Sequence, residues 1–213
     1  MLTKRITILQ GHPDRRGNHF GNALAGAYAD GARAVGHEVK CIEVAKLDFP
    51  LLRSAEDFYL GTTPEGILAA QDAIRWANHL LIIYPLWHGH FPALFHAFLE
   101  QTFRPGFAVQ GGHRGMPKKL FTGKTARIII TMGMPGLFYR WYYRAHSLKS
   151  LQRNILQFCG ISPIRVNFVG GLGAGAVADR TLEPFERDYP MLKGAGGRER
   201  WLNKMRSLGY EGR

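Results

Sequence analysis

Cysteine is scarce: Cys41 and Cys159 are the only two in 213 residues. Two thiols without metal-ligand spacing make neither a disulfide framework nor a zinc site, so a reducing compartment, the cytoplasm, is expected. Long apolar runs are missing too, since no stretch approaches the ~20 residues that cross a bilayer. The opening MLTKRITILQGHPD has two early basic residues, but its apolar run is short, ends in Gly-His-Pro-Asp and lacks a small-residue cleavage site. It reads as a first strand rather than a secretory signal. Acidic residues are few, 16 against 28 Lys and Arg, for a formal charge of +12. Such an excess attracts nucleic acid, anionic lipid or phosphorylated cofactors without choosing among them. The basic residues are spread over Arg15-Arg16, Arg114 to Lys124, Arg140 to Arg153 and the C-terminal stretch. No nucleic-acid motif organises them, and a solvated basic surface is the simpler reading.

What is present is an ordinary globular composition, 46% hydrophobic and 21% charged, and a length that suits one domain over residues 1–213. Strand and helix patterns alternate throughout, which favours a parallel sheet covered on both faces. Ile6 to Leu9, stopped by Gly11 and Pro13, suits a buried first strand, and Leu24, Ala27, Tyr28, Gly31 and Val35 then recur at helical spacing. Val39 to Val44 is a second strand, and residues 45 to 62 look irregular. Thr63-Pro64-Glu65 opens a helix with a cap, a first-turn Pro and an early acid. Leu80 to Tyr84 is the strongest buried-strand signal, ended by Pro85. Pro92 begins a helix to about Thr102, Ala126 to Thr131 is the fourth strand, and a long helix is predicted from Ala145 to Cys159 with Leu148, Leu151 and Ile155 inward. Ile164 to Val169 completes five strands, and Trp201, Leu202, Met205 and Leu208 mark a last helix.

These elements, joined by right-handed crossovers, predict a three-layer α/β sandwich with five parallel strands in the order 2-1-3-4-5 and helices on both faces. In such sheets ligands bind beyond the carboxyl ends of the strands, where the order reverses between strands one and three. Residues 10 to 21 and 85 to 91 would wall that crevice, with 131 to 146 close by.

The first loop, Gln10 to Asn22, runs straight into a helix whose free N–H groups and dipole can hold phosphate. It matches neither a P-loop nor a close Gly-x-Gly-x-x-Gly, and Gly170-Gly171-Leu172-Gly173 comes after the last strand, where a dinucleotide fingerprint would be misplaced. A solvated turn with Asn18 as the helix cap is the plainer alternative. The second loop, Tyr84-Pro85-Leu86-Trp87-His88-Gly89-His90-Phe91-Pro92, offers aromatic and imidazole groups to a planar ring. His88, His90 and His96 invite a metal, but no carboxylate or Cys completes a ligand set, so no metal is expected. The third loop, Thr131-Met132-Gly133-Met134 onward to Leu137-Phe138-Tyr139-Arg140-Trp141-Tyr142-Tyr143-Arg144-Ala145-His146, suits a ring site, a subunit interface or simple packing.

Together the three loops resemble those of the flavodoxin-like NAD(P)H:quinone oxidoreductases, the group of DT-diaphorase, modulator-of-drug-activity proteins and potassium-efflux ancillary subunits. The anchors are Gly11-His12-Pro13, Tyr84-Pro85-Leu86-Trp87 with Phe91-Pro92-Ala93-Leu94, and Gly123-Lys124 ahead of Ile128 to Gly133. The resemblance implies that His12, Asn18, His19, Phe20 and Gly21 hold the phosphate region of a flavin, FMN or FAD. It implies that Leu86, Trp87, His88 and Gly89, with Thr131, Met132, Gly133 and Met134, line the isoalloxazine. It further implies hydride transfer from NAD(P)H and two-electron reduction of a quinone in one pocket, a ping-pong cycle. For stabilising the reduced ring the family uses a Tyr and a His, to which Tyr139 and His146 are nearest here, at a spacing that differs by one residue. Trp87-His88-Gly89-His90 also departs from the Gln-Trp-aromatic sequence of many relatives. A homodimer with the aromatic segment 138 to 143 at its interface is implied as well. Two other readings stand beside the enzyme: a flavin-binding regulatory subunit of a potassium efflux system, docked on a membrane partner, and a flavin-free basic binding module.

Overall fold

The run Ile6 to Leu9 forms β1 (Arg5–Gln10), followed by α1 (Phe20–Arg33) and β2 (Glu38–Glu43). These belong to a computed structural model that describes residues 2–17, 19–111, 117–172 and 195–213. Asn18, Arg114 and Gly173, each singled out above, lie outside the described residues. Next come α2 (Ala55–Leu60), α3 (Glu65–Trp76), β3 (His79–Pro85) and α4 (Ala93–Thr102). A small antiparallel pair, β4 (Val109–Gln110) and β5 (Lys118–Lys119), precedes β6 (Thr125–Thr131). The chain ends with α5 (Gly136–Trp141), α6 (His146–Ser150), β7 (Ile164–Val169) and α7 (Ala195–Tyr210).

Five strands pair in parallel in the order β2-β1-β3-β6-β7. With the small β4-β5 pair set aside, that is the expected 2-1-3-4-5. Successive strand residues face opposite sides, and the sheet separates its apolar side chains accordingly. Leu9, Leu80, Ile82 and Tyr84 join the layer of α3 and α4, while Ile6, Ile8, Leu81 and Ile83 join that of α1 and α7. Leu80 to Tyr84 are all fully buried, which is why their sequence does not alternate. Removing each aliphatic side chain from water contributes about 1.5–3 kcal/mol.

Helix α7 lies against α1 through two glycines. A Cβ on Gly31 would collide with the carbonyl oxygen of Arg206, and one on Gly209 with that of Tyr28. The backbones approach this closely only because neither residue has a side chain.

Three expectations change. Residues 45 to 62 are not wholly irregular, because α2 forms with Ser54 Oγ accepting from Asp57 N at 3.0 Å. Its far end is held by the buried Arg104, whose guanidinium donates to the carbonyls of Asp57, Phe58, Gly61 and Thr62, a long-range cap that no local pattern announces. Helix α3 starts one residue later than read, with Pro64 itself at the cap and no side-chain bond from Thr63 there. The predicted helix 145–159 is α only to Ser150 and winds as a π-helix over Leu151–Gln157. The wider turn moves the inward position from Ile155 to Leu156: Leu148, Leu151 and Leu156 are buried, and Ile155 is only partly so.

Candidate active site

The crevice begins where β1 ends. Gly11 N donates to Ile83 O at 2.7 Å, tying the first loop to β3. A Cβ on Gly11 would sit 2.7 Å from Phe95 Cγ, so only glycine lets the strand leave the core here. Asp14 then organises the loop. It accepts from Arg16 N at 2.9 Å, pairs with the Arg16 side chain at 2.7 Å and meets His19 Nε2 at 3.0 Å. The Arg16 side-chain and backbone hydrogen bonds hold its carboxyl well below the usual carboxylate range.

The same loop stacks His12 on His19, ring centroids 3.7 Å apart and planes 15° from parallel, with Trp87 edge-on at 6.0 Å. Burial and the neighbouring His19 lower the His12 pKa to about 4, against a smaller opposing pull from Asp14. His12 is therefore neutral at pH 7. Its Nδ1 accepts from Asp14 N at 3.1 Å, so Nε2 carries the hydrogen and is the donor. Helix α1 begins beyond it with His19 at its cap and no acidic residue in its first turn, so the backbone N–H groups of that turn present the positive end of the dipole. Phe20 leans into the apolar layer under α1. Gly21 is buried against Gln10, whose amide is itself buried and has no hydrogen-bond partner among the described residues. Sequence reading passed over Gln10, Asp14 and Ser147.

The second wall is a tight turn. Trp87 and His90 exchange both backbone hydrogen bonds at 2.8 Å, and His88 and Gly89 between them have φ of 49° and 76°. Two consecutive positive φ values make a type I′ turn, and the non-glycine His88 carries about 1 kcal/mol of strain there. Trp87 and His88 are exposed, and Leu86 packs partly into the core with its N–H donated to Thr131 O at 2.8 Å. That bond joins the second wall to the third.

Thr131 and Met132 are buried at the end of β6, Met132 with its side chain in the core and its backbone bonded to Val169 O at 2.9 Å and Leu172 N at 3.2 Å. Gly133 is exposed and Met134 packs on the core edge. The chain then forms α5 and turns back through two further left-handed residues, Arg144 and Ala145, with φ of 52° and 45°. This reversal brings α6 up behind the His88–Gly89 turn. His146, exposed, has its ring 3.7 Å from where a Gly89 Cβ would stand, and its Nδ1–H donates to Tyr143 O at 3.0 Å. Tyr139 is 0% exposed, and its hydroxyl lies 2.7 Å from Ser147 Oγ, which donates to Gly89 O at 2.9 Å. The structure thus brings His12, His19, Trp87, His88, Gly89, Thr131 and His146 to one place and sets Tyr139 behind it.

Burial lowers the His90 pKa, helped by His96 and His146 and opposed by its bond to Phe91. Its ring stacks on His96 at 5.5 Å, yet among the described residues no three of His, Cys, Asp and Glu gather as a metal ion would require. Hollows of about 600 and 420 Å³ run along the outer edge of β7 and share Arg140, Val166 and Phe168. Neither is lined by the first two loops.

A parallel sheet that reverses order between β1 and β3, with a helix N-terminus, a tight aromatic turn and a third loop meeting at the reversal, defines a doubly wound α/β protein with a candidate ligand crevice at the switch point. The chain belongs to the Flavodoxin_2 family, of flavodoxin-like fold, whose family model matches residues 4–189. It is similar to an uncharacterized NAD(P)H oxidoreductase of Haemophilus influenzae, 26% identical over 78% of this chain and 83% of that protein. Among solved structures it resembles an NAD(P)H:quinone oxidoreductase from Methanothermobacter marburgensis, with a TM-score of 0.77, 20% identity and all of both chains covered. It also resembles an FMN-dependent NADH-azoreductase from Bacillus anthracis in complex with FMN, with a TM-score of 0.65, 15% identity and 97% of this chain and 100% of that one covered.

Proposed function

We propose that the chain is a flavin-dependent NAD(P)H oxidoreductase that passes two electrons to a quinone or a related small acceptor. The observation that carries this reading is the convergence of the α1 N-terminus, whose first turn holds no acid, the Trp87 turn and the end of β6 at the switch point. The residues fit the group. His12, as a neutral Nε2 donor, and the first turn of α1 from His19 to Gly21 would hold its phosphate, and the buried amide of Gln10, without a partner among the described residues, lies just beneath Gly21. Trp87, His88 and Gly89 would flank one side of its ring and Thr131 to Met134 the other, largely through backbone groups.

When bound, a flavin supplies a ring that accepts hydride from a nicotinamide and delivers two electrons to an acceptor. The chain's part is to hold donor and acceptor in turn against one face of that ring, a ping-pong use of a single pocket. His146 is the residue we assign to charge stabilisation. It stands exposed at the mouth, its Nδ1–H donated to Tyr143 O at 3.0 Å and its ring against Gly89. Tyr139 acts from behind the turn. The two cysteines are free thiols, one exposed and one buried, and the proposed compartment is the cytoplasm. The exposed side chains of Leu137, Phe138, Trp141 and Tyr142 support a second copy of the chain as the partner on that face.

The protein should purify with a yellow chromophore that mass spectrometry identifies as FMN or FAD, and should oxidise NADH or NADPH when a quinone is added. Flavin binding without turnover would favour a regulatory role instead. A colourless protein that takes up neither flavin sinks the reading.

A further inference from the structure

Ser147 is 1% exposed and sits at the start of α6, directly beneath the tight turn that forms one wall of the crevice. Its hydroxyl has one hydrogen. Gly89 O, 2.9 Å away, is a carbonyl and can only accept, so that hydrogen goes to it. The Tyr139 hydroxyl, 2.7 Å from the same Oγ, must therefore be the donor into Ser147. The bonds form a directed relay, Tyr139 O–H to Ser147 O–H to Gly89 C=O, in which each bond strengthens the next. All three residues are buried, so no water competes with the relay.

The relay ends on a peptide that is also held from its other side. The plane between Gly89 and His90 donates through His90 N to Trp87 O at 2.8 Å while accepting from Ser147 at Gly89 O. With both ends tied, that peptide cannot rotate, and the left-handed turn persists although His88, at φ 49°, is strained in it. His146, the neighbour of Ser147 in the chain, has its ring against the same glycine.

We propose that Ser147 is the positioning residue of the ligand site: with Tyr139 as its donor, it locks the His88–Gly89 turn in the shape that receives the ring ligand. It touches no reacting atom and acts through Gly89 alone. This rests on the flavin reading above for the identity of the ligand, but the locking of the turn is a property of the chain without any ligand.

The test measures both. In the flavin-free protein, amide hydrogen exchange is followed at His90 and along β3, and FMN affinity is then measured by fluorescence titration. Ser147→Ala leaves Gly89 O buried without a donor, and His90 exchange should accelerate about ten-fold while the amides of β3 keep their rates. FMN affinity should fall by a similar factor, and Ser147→Thr, which keeps the hydroxyl, should restore both. Tyr139→Phe removes the donor into Ser147 but leaves the bond to Gly89, so it should produce a smaller change of about three-fold. It carries the test if the alanine variant does not fold. Unchanged His90 exchange in Ser147→Ala, or in Tyr139→Phe if only that variant folds, overturns the proposal. So does acceleration spread equally over β3, which would mean that Ser147 only stabilises the fold. A wild-type protein that binds no FMN or FAD overturns the flavin reading instead and leaves the exchange result standing.

Discussion

His79 begins β3 with its ring 2% exposed and Nδ1 2.7 Å from Thr125 Oγ1. Burial, aided by the positive charges of Lys4, Arg127 and Arg165, lowers its pKa from 6.5 to about 3. The unfolded chain takes up this proton near pH 6.5 and the folded chain only near 3. Between those values the unfolded state binds more protons, so stability is whole above pH 6.5 and declines as the pH falls towards 3. The slope from one such ring is at most about 1.4 kcal/mol per pH unit. Urea melts at stepped pH should show this decline, and His79→Gln should flatten it. Parallel slopes for the two proteins would remove His79 as its source. Tyr139 shows the same limit of reading single residues: its place in the chain suggests contact with a ligand, yet burial turns its hydroxyl towards Ser147.

At the scale of elements, the close seam is that between α1 and α7. Gly31 and Gly209 each face a carbonyl of the opposite helix with no room for a methyl group. Gly31→Ala would normally raise helix propensity by about 1 kcal/mol, but here it must push α7 outward, and overpacking of this kind costs about 1–3 kcal/mol. The two effects have opposite sign and the collision is the larger, because the atom struck is backbone and cannot swing away. A thermal melt of Gly31→Ala should show a midpoint lower by about 2–8 °C, and one that is unchanged or raised would mean the seam opens freely. Gly31 is legible in the sequence only as part of a helical repeat. Its role depends on a helix that arrives nearly the whole chain later.

Across the whole molecule, the exposed aromatic face of α5 and the positive charge act against each other. Trp141 and Tyr142 are 76% and 71% exposed, and Arg140 and Arg144 lie among them. A second copy seated there would bury the aromatic rings but bring like charges together. Two consequences follow for sedimentation. Trp141→Ala should weaken the proposed dimer by ten-fold or more, as loss of a buried aromatic anchor does. Moderate to high salt should tighten it, because at about 1 M the screening length falls to roughly 3 Å. A wild-type chain that remains monomeric throughout would reject the interface. No helix among the described residues is long and apolar enough to cross a membrane.

The parts of this protein that were open to reading are those encoded by neighbours in the chain. The unbroken apolar run of β3, the Gly-His-Pro stop after β1 and the alternation of strands with helices follow from local periodicity and turn chemistry, while the strand order came from the right-handed crossover rule and the flavodoxin-like pattern, and it is the order found. Residues that act across the fold were hidden. Arg104 caps a helix more than forty residues earlier, the π-helical winding shifts the inward face to Leu156, and Ser147 holds a turn 58 residues before it. Sequence alone determined which faces are apolar, and so the sheet and the position of its crevice, because burial of apolar surface is a sum over local choices. Which polar atoms meet inside that crevice was decided only by the tertiary structure, because a hydrogen bond depends on the angstrom-scale placement of groups that the chain itself keeps far apart.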